Sequence, residues 1–126
     1  MESFRVGVEA GLEKPGAGLE VMADVLEAWF REPDFRGCAF NNTLAESGPA
    51  GGEDVVIARQ HKAELEAYVV EVARRLGMEQ PETVAAAAML LMEGAIVRAQ
   101  MTGEPAVAAL CRTLLASLGQ GIASLR

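Results

Sequence analysis

The chain has 126 residues, about half of them apolar, and 18 acidic against 11 basic side chains give it a formal charge of −7. This length suits a single domain with one hydrophobic core, and the negative charge disfavours binding to a phosphate backbone. No apolar run reaches membrane-spanning length and the N-terminus has no signal-peptide pattern, so we expect a soluble cytoplasmic protein without a membrane partner.

Helical periodicity begins at the N-terminus and strengthens along the chain. Phe4, Val8 and Leu12 form a weak apolar stripe, which the glycines between them weaken further. From Gly18 to Arg31 apolar residues recur three and four positions apart, which is typical of one face of a helix, and Pro33 ends the pattern. The residues of that face are Leu19, Met22, Leu26, Trp29 and Phe30.

A third helix is predicted from Arg36 to Ser47, and polar residues occupy its middle turn. Amide and hydroxyl side chains are poor helix formers and are costly to bury without a partner. Thr43 lies three residues after Phe40 and therefore near the buried stripe, whereas Asn42 falls on the opposite side and is expected to be solvated. Asn41 and Thr43 either orient a ligand or bond to nearby backbone and water, and the sequence leaves both interpretations open.

A long fourth helix is predicted from Asp54 to Leu76, after a glycine-rich loop over residues 47–52. Its apolar residues form a seam that includes His61, and Gly77 provides a natural stop. Charged residues four positions apart are expected on its solvated side, namely Lys62 with Glu66 and Glu71 with Arg75.

Two further helices begin with proline in the first turn, at Pro81 and at Pro105. The first is apolar around most of its circumference and the second carries a long apolar stripe, which is more surface than one small core covers. We therefore expect a homodimer, the alternative being a monomer in which the first helix covers the surplus. The expected interface residues are Leu91, Ala95, Val107, Leu110, Leu114, Leu118 and Ile122.

These patterns together predict a fold without strands. Six helical segments are separated by short turns, and short connections favour antiparallel neighbours. The sequence therefore predicts an all-α antiparallel bundle of about six helices, forming a single domain over residues 1–126.

Enzymatic chemistry has no support in the sequence. The chain has one histidine, His61, and no catalytic triad, zinc-binding or phosphate-loop motif. A nucleophilic Cys38 with His61 as its base is the one alternative, but a cysteine between Gly37 and Ala39 is more simply a small packing residue. Cys38 and Cys111 lie far apart without metal-ligand spacing, which favours two reduced thiols over a disulfide. We expect no catalytic residue, no metal site and no cofactor.

Three runs of the sequence carry a resemblance to a known family: "WFREPDFRGCAFNNTLAE", "ARQHKAELEAYVVEVARRLG" and "PETVAAAAMLLMEGAIVRAQ". In their order and spacing they resemble the C-terminal effector-binding and dimerisation domain of TetR-type transcriptional regulators, over Gly18 to Leu118. The resemblance implies an all-helical bundle whose last two long helices pair with those of a second copy. It also implies a pocket between the central helices for a small, largely apolar or aromatic effector.

The expected pocket residues combine this resemblance with the apolar spacing. For His61, Met89 and Met92 ordinary core packing is the simpler interpretation and ligand contact is the functional one. The full set is Trp29, Phe30, Phe40, Asn41, Thr43, Leu44, His61, Leu65, Tyr68, Met89 and Met92.

One departure from the family pattern concerns DNA. Regulators of this family begin with a basic head that contains a helix-turn-helix, and these 126 residues include no such segment. We therefore expect no nucleic-acid binding by this chain alone, and operator contact only through an N-terminal domain outside it. The chain is then either a fragment or a free-standing sensor, and the alternative function is a helical dimerisation or interaction module without ligand. A cavity in the bundle interior separates the sensor from that alternative.

Overall fold

The structure is a computed structural model that describes residues 2–47 and 52–123, with side chains described for 2–39, 41–46 and 52–118. Within these residues it contains six helices and no strand, which confirms the predicted all-α fold. The helices are α1 (Glu2–Leu12), α2 (Val21–Phe30), α3 (Ala39–Ser47), α4 (Glu53–Arg75), α5 (Pro81–Thr102) and α6 (Val107–Ala123).

The packing order places α5 at the centre of the bundle. It contacts α4 and α6, while α2 packs against both α5 and α6. On the outside, α1 packs on α2, and α3 packs on α4. One continuous hydrophobic core draws buried side chains from α1, α2, α4, α5 and α6.

Glycines in α1 allow it to approach α2 closely. A Cβ atom at Gly11 would lie 2.8 Å from Cβ of Val21, and one at Gly7 would lie 2.9 Å from Cγ2 of Val25. Cβ atoms of real residues do not come this close, so only glycine permits this helix crossing. The glycines that lower the intrinsic helix propensity of α1 therefore serve its tertiary packing.

The turn between α4 and α5 ends the longer helix where the sequence predicts. Gly77 adopts a φ of 72°, in the left-handed region that favours glycine. Its N–H donates to the Arg74 carbonyl, and the Met78 N–H donates to the Ala73 carbonyl, so the turn is a Schellman motif. Across the turn Arg74 forms an ion pair with Glu82, which ties the end of α4 to the start of α5.

A polar cluster attaches α1 to α4. The Glu9 carboxylate accepts two hydrogen bonds from the Arg75 guanidinium, at 2.8 and 2.9 Å, and one from the Tyr68 hydroxyl at 2.6 Å. The Arg5 guanidinium lies 4.7 Å from the centre of the Tyr68 ring. Arg75 therefore pairs with Glu9 on another helix, rather than with the Glu71 that lies four residues before it.

This cluster shifts the acidity of its members. Hydrogen bonds from Arg75, and then from Tyr68, lower the pKa of Glu9 from 4.5 to about 2. Burial, and then the hydrogen bond to Glu9, raises the pKa of Tyr68 to about 12. Both shifts favour the ionised carboxylate beside a neutral phenol, which is the arrangement that holds α1 on α4.

Acid is expected to weaken this attachment. Because the folded-state pKa of Glu9 lies below its unfolded value, its contribution to stability is present above pH 4.5 and is lost as the pH falls towards about 2. The free energy of unfolding, measured by urea denaturation, should therefore fall less steeply over this range in Glu9→Gln than in the wild type. Glu13→Gln, at an exposed position just after α1, is the control and should follow the wild type. Identical slopes in all three proteins would contradict the role of Glu9.

The length and composition of α5 differ from what the sequence led us to expect. Among the described helices α5 alone is long and apolar enough to cross a membrane, with 22 residues and an 18-residue window of mean hydropathy 1.4. The expectation that no apolar run reaches this length is therefore wrong for Pro81–Thr102. The core helix of a soluble protein can have the same length and composition, and 44 % of the apolar window of α5 is buried inside the bundle. Its packing between α4 and α6 accounts for its apolar character.

Candidate ligand-binding cavity

A cavity of about 960 Å³ lies between α1, α2, α4 and α5. It reaches the surface, since the exposed residues Lys14, Asp24 and Arg112 are part of its lining. Its volume is at the upper end of the ~300–1,000 Å³ typical of small-molecule sites. Apolar side chains from several helices form much of its wall, among them Phe4, Val25, Leu26, Trp29, Leu65 and Ile96.

Five of the eleven predicted pocket residues line this cavity. These five residues lie on α2, α4 and α5, and they include the single histidine of the chain. They are Trp29, His61, Leu65, Met89 and Met92. Met89 and Met92 are also buried in the core, so packing and cavity lining coincide at these two positions. The sequence thus located one side of the cavity.

Phe30 and Tyr68 serve the core instead. The Phe30 ring lies 5.9 Å from that of Trp29 and 5.2 Å from that of Phe35, and it supports the Trp29 indole from behind the cavity wall. Tyr68 is buried, with its hydroxyl on Glu9 and its ring edge-on to Phe4 at 6.5 Å. Neither residue is among those that line the cavity.

The predicted contribution of α3 is largely absent from the cavity. Asn41, Thr43 and Leu44 are partly exposed and do not line it, because α3 packs along α4; of the α3 residues with described side chains, Ala39 lines the cavity. The Asn42 amide donates to the Arg36 carbonyl at 3.2 Å, which is a local bond at the start of the helix. The side chain of Phe40, also a predicted pocket residue, lies outside the described ones.

A charged pair forms part of the wall between α4 and α5. Nζ of Lys62 lies 3.0 Å from Oε1 of Glu93, and both residues line the cavity. The side chain of Lys62 is only 17 % exposed, whereas that of Glu93 is 38 % exposed. The expectation that Lys62 lies on the solvated side with Glu66 is therefore wrong, since the lysine turns towards α5 and takes its partner there.

Two more polar groups lie at different depths of the cavity. His61 precedes Lys62 on α4 and lines the same wall, with Nδ1 at 4.0 Å from Oε2 of Glu64. At the surface end Nε of Arg112 lies 3.2 Å from Oδ1 of Asp24, and both of these side chains are about half exposed. The cavity therefore has a partly desolvated ion pair inside and a solvated ion pair at its surface.

The two cysteines have different surroundings. Cys38 lines the cavity, while Cys111 is buried in α6 with its thiol 3.8 Å from the Leu91 carbonyl. Burial raises the pKa of the Cys111 thiol, so it remains protonated and unreactive. Both thiols are free. Among the described residues no group of three or more histidine, cysteine or acidic side chains is placed to hold a metal ion.

An apolar surface lies on the exposed sides of α5 and α6. Leu90, Val97 and Met101 are exposed at spacings of seven and four residues on α5, and Leu110 and Leu114 are exposed one turn apart on the neighbouring α6. We call these five residues the α5–α6 apolar face. Leu90 and Met101 are the most exposed of them, at 75 % and 78 %.

The α5–α6 apolar face overlaps only in part with the expected dimer interface. Of the seven expected residues, Leu110 and Leu114 belong to the face, and Ala95 is buried within the chain. Leu91, Val107 and Leu118 are partly buried against the core, and the side chain of Ile122 lies outside the described ones. The sequence analysis missed Leu90, Val97 and Met101, for which a row at i, i+7 and i+11 was the available signal.

No protein-family model, no curated protein and no solved structure matches this chain. The resemblance to the TetR-type domain therefore rests on the residues of the chain itself. The roles of the cavity and of the α5–α6 apolar face are inferred from their geometry.

Proposed function

We infer that this chain is the small-molecule-sensing and homodimerisation domain of a TetR-like transcriptional regulator. The observation that carries this proposal is the cavity. A space of about 960 Å³ is within the range of small-molecule binding sites, and it extends from the surface to the buried side chains of Met89 and Met92. Its apolar walls and few polar groups fit an apolar or aromatic molecule with one or two polar atoms.

The position of the cavity supports a sensing role. Its wall includes Phe4, Gly7 and Gly11 of α1, which is the first helix in chain order. A molecule that contacts α1 and α4 together stabilises one arrangement of these helices over others. In a regulator of the proposed type, this shift would change the spacing of DNA-binding heads carried by a separate part of the protein.

The α5–α6 apolar face supports the proposed homodimer. Large exposed apolar patches are uncommon on soluble monomers, and a two-fold partner that presents the same face would remove all five side chains from water. Two helices of 22 and 17 residues give such an interface enough length for a four-helix arrangement.

Ligand binding is tested by a variant that narrows the cavity. In calorimetric titrations of a library of apolar and aromatic compounds, the wild-type protein is expected to bind some members. Leu65→Trp is expected to weaken this binding because the larger side chain projects into the cavity. The matched control is Ile57→Trp on the same helix, at an exposed position outside the cavity lining, which should bind as the wild type does. Fluorescence of Trp29, the only tryptophan, reports the same event in the wild type.

A contrary result would favour the other function considered for this chain. If no compound binds to the wild type, or if Leu65→Trp and Ile57→Trp bind equally well, the cavity is not a ligand site. The protein would then be a helical dimerisation or interaction module. Sedimentation of both variants checks that the oligomeric state is unchanged.

A further inference from the structure

We propose that the cavity selects molecules that carry a carboxylate on an apolar or aromatic body, and that Lys62 binds this carboxylate by exchanging it for Glu93. The inference rests on the proposed function and names the chemical class of its effector. It follows from the geometry and the unequal burial of the Lys62–Glu93 pair.

Lys62 and Glu93 differ in solvent exposure, and therefore in what each loses when the pair separates. The Lys62 side chain is 17 % exposed, so it has less access to water than its partner and loses more if its charge is left unpaired. Glu93 is 38 % exposed and reaches solvent, so its carboxylate loses less when the pair separates. The lysine therefore requires an anion, while the glutamate is the replaceable partner.

This asymmetry discriminates between ligand charges. A bound carboxylate would replace Glu93 on Lys62, and the glutamate would rotate towards water, so that every charge keeps a partner or solvent. A bound amine would instead compete for Glu93 and leave the Lys62 ammonium without its carboxylate partner, beside a second cation. A neutral molecule would leave the pair intact and gain only apolar contact.

The surroundings of Lys62 suit the rest of such a molecule. The same cavity is lined by Leu65, Met89, Met92 and the Trp29 indole, which offer apolar contact to a chain or a ring. Two other cations line the cavity: Lys14 is exposed, and Arg112 is half exposed and pairs with the half-exposed Asp24. A carboxylate gains little there because water already solvates both groups.

The test uses three compounds that share one tail and differ in charge: decanoate, decanamide and decylamine. Calorimetric titration of the wild-type protein is expected to give an affinity for decanoate about tenfold higher than for decanamide, the size of one charge-assisted hydrogen bond. Decylamine should bind more weakly than decanamide. Cinnamate, cinnamamide and cinnamylamine repeat the comparison with an aromatic body.

Variants assign the preference to Lys62. Lys62→Met is expected to reduce the ratio of decanoate to decanamide affinity to about one, whereas Glu93→Gln is expected to raise decanoate affinity several-fold, because it removes the competing carboxylate. Arg112→Met is the matched control and should keep the wild-type ratio. Glu93→Gln keeps Lys62, so it tests the exchange even if Lys62→Met does not fold.

The outcomes separate this inference from the proposed function. If decanamide or decylamine binds as well as decanoate, or if Arg112→Met rather than Lys62→Met removes the preference, the carboxylate inference is overturned and the ligand cavity stands. Lower decanoate affinity in Glu93→Gln also overturns it. If none of the six compounds and no member of the apolar library binds, both proposals fail.

Discussion

The double variant Leu110→Glu/Leu114→Glu is expected to sediment as a monomer at micromolar concentration, where the wild type is expected to sediment as a dimer. The two side chains are 60 % and 38 % exposed in the single chain and neither belongs to the hydrophobic core, so glutamate at these positions leaves the core residues in place. In a two-fold interface built on the α5–α6 apolar face, however, four new carboxylates would be buried or brought together. Each copy already carries a net charge of −7, which adds to the repulsion.

The matched control is Val6→Glu, on α1. Val6 is apolar and 65 % exposed like the interface residues, but it lies on a helix that packs against α2. This variant should remain dimeric. A wild-type protein that sediments as a monomer, or a double variant that remains a dimer, would remove the α5–α6 apolar face from the proposal.

The helices were predictable from the sequence because their signals are local. The proline at Pro81 and the left-handed Gly77 fix the turn between α4 and α5, and the apolar spacing on α2 places Trp29 at the cavity. Leu65 followed from the same periodicity on α4. These predictions needed only the geometry of a single helix.

The polar part of the cavity was not predictable in the same way. The local rule for charged residues four apart linked Lys62 to Glu66, yet the structure pairs Lys62 with Glu93 from another helix. Which of two acids a lysine reaches depends on how α4 and α5 pack, and no spacing within one helix contains that information. The same reason explains why Arg75 was not linked to Glu9.

The exposed side of α5 could not be predicted from the sequence, for a different reason. When apolar residues surround a helix on nearly all sides, periodicity no longer identifies one buried direction. Leu91 and Ala95 were therefore assigned to the interface, while Leu90 and Val97 are the exposed residues. On α6 the predicted stripe included Leu110 and Leu114 but omitted Leu115, which is buried in the core.

Which side of α6 faces the core is tested by Leu115→Ala. This substitution is expected to lower the free energy of unfolding by about 2–5 kcal/mol. Leu115 is 1 % exposed, so its truncation removes apolar contacts and leaves a cavity where the surrounding helices cannot collapse. The measurement is urea denaturation in the Leu110→Glu/Leu114→Glu background, because unfolding of a monomer is not coupled to association.

Leu90→Ala in the same monomeric background provides the comparison. Leu90 is 75 % exposed, so without a partner its truncation should change the free energy of unfolding by no more than about 0.5 kcal/mol. In the wild-type background the same substitution should weaken the dimer, because there the partner covers this side chain. Equal losses for Leu115→Ala and Leu90→Ala in the monomer would mean that α5 and α6 present other faces to the core. If only Leu115→Ala lowers the free energy of unfolding strongly, Leu115 stabilises the core of the single chain and Leu90 remains available for contact with a second copy.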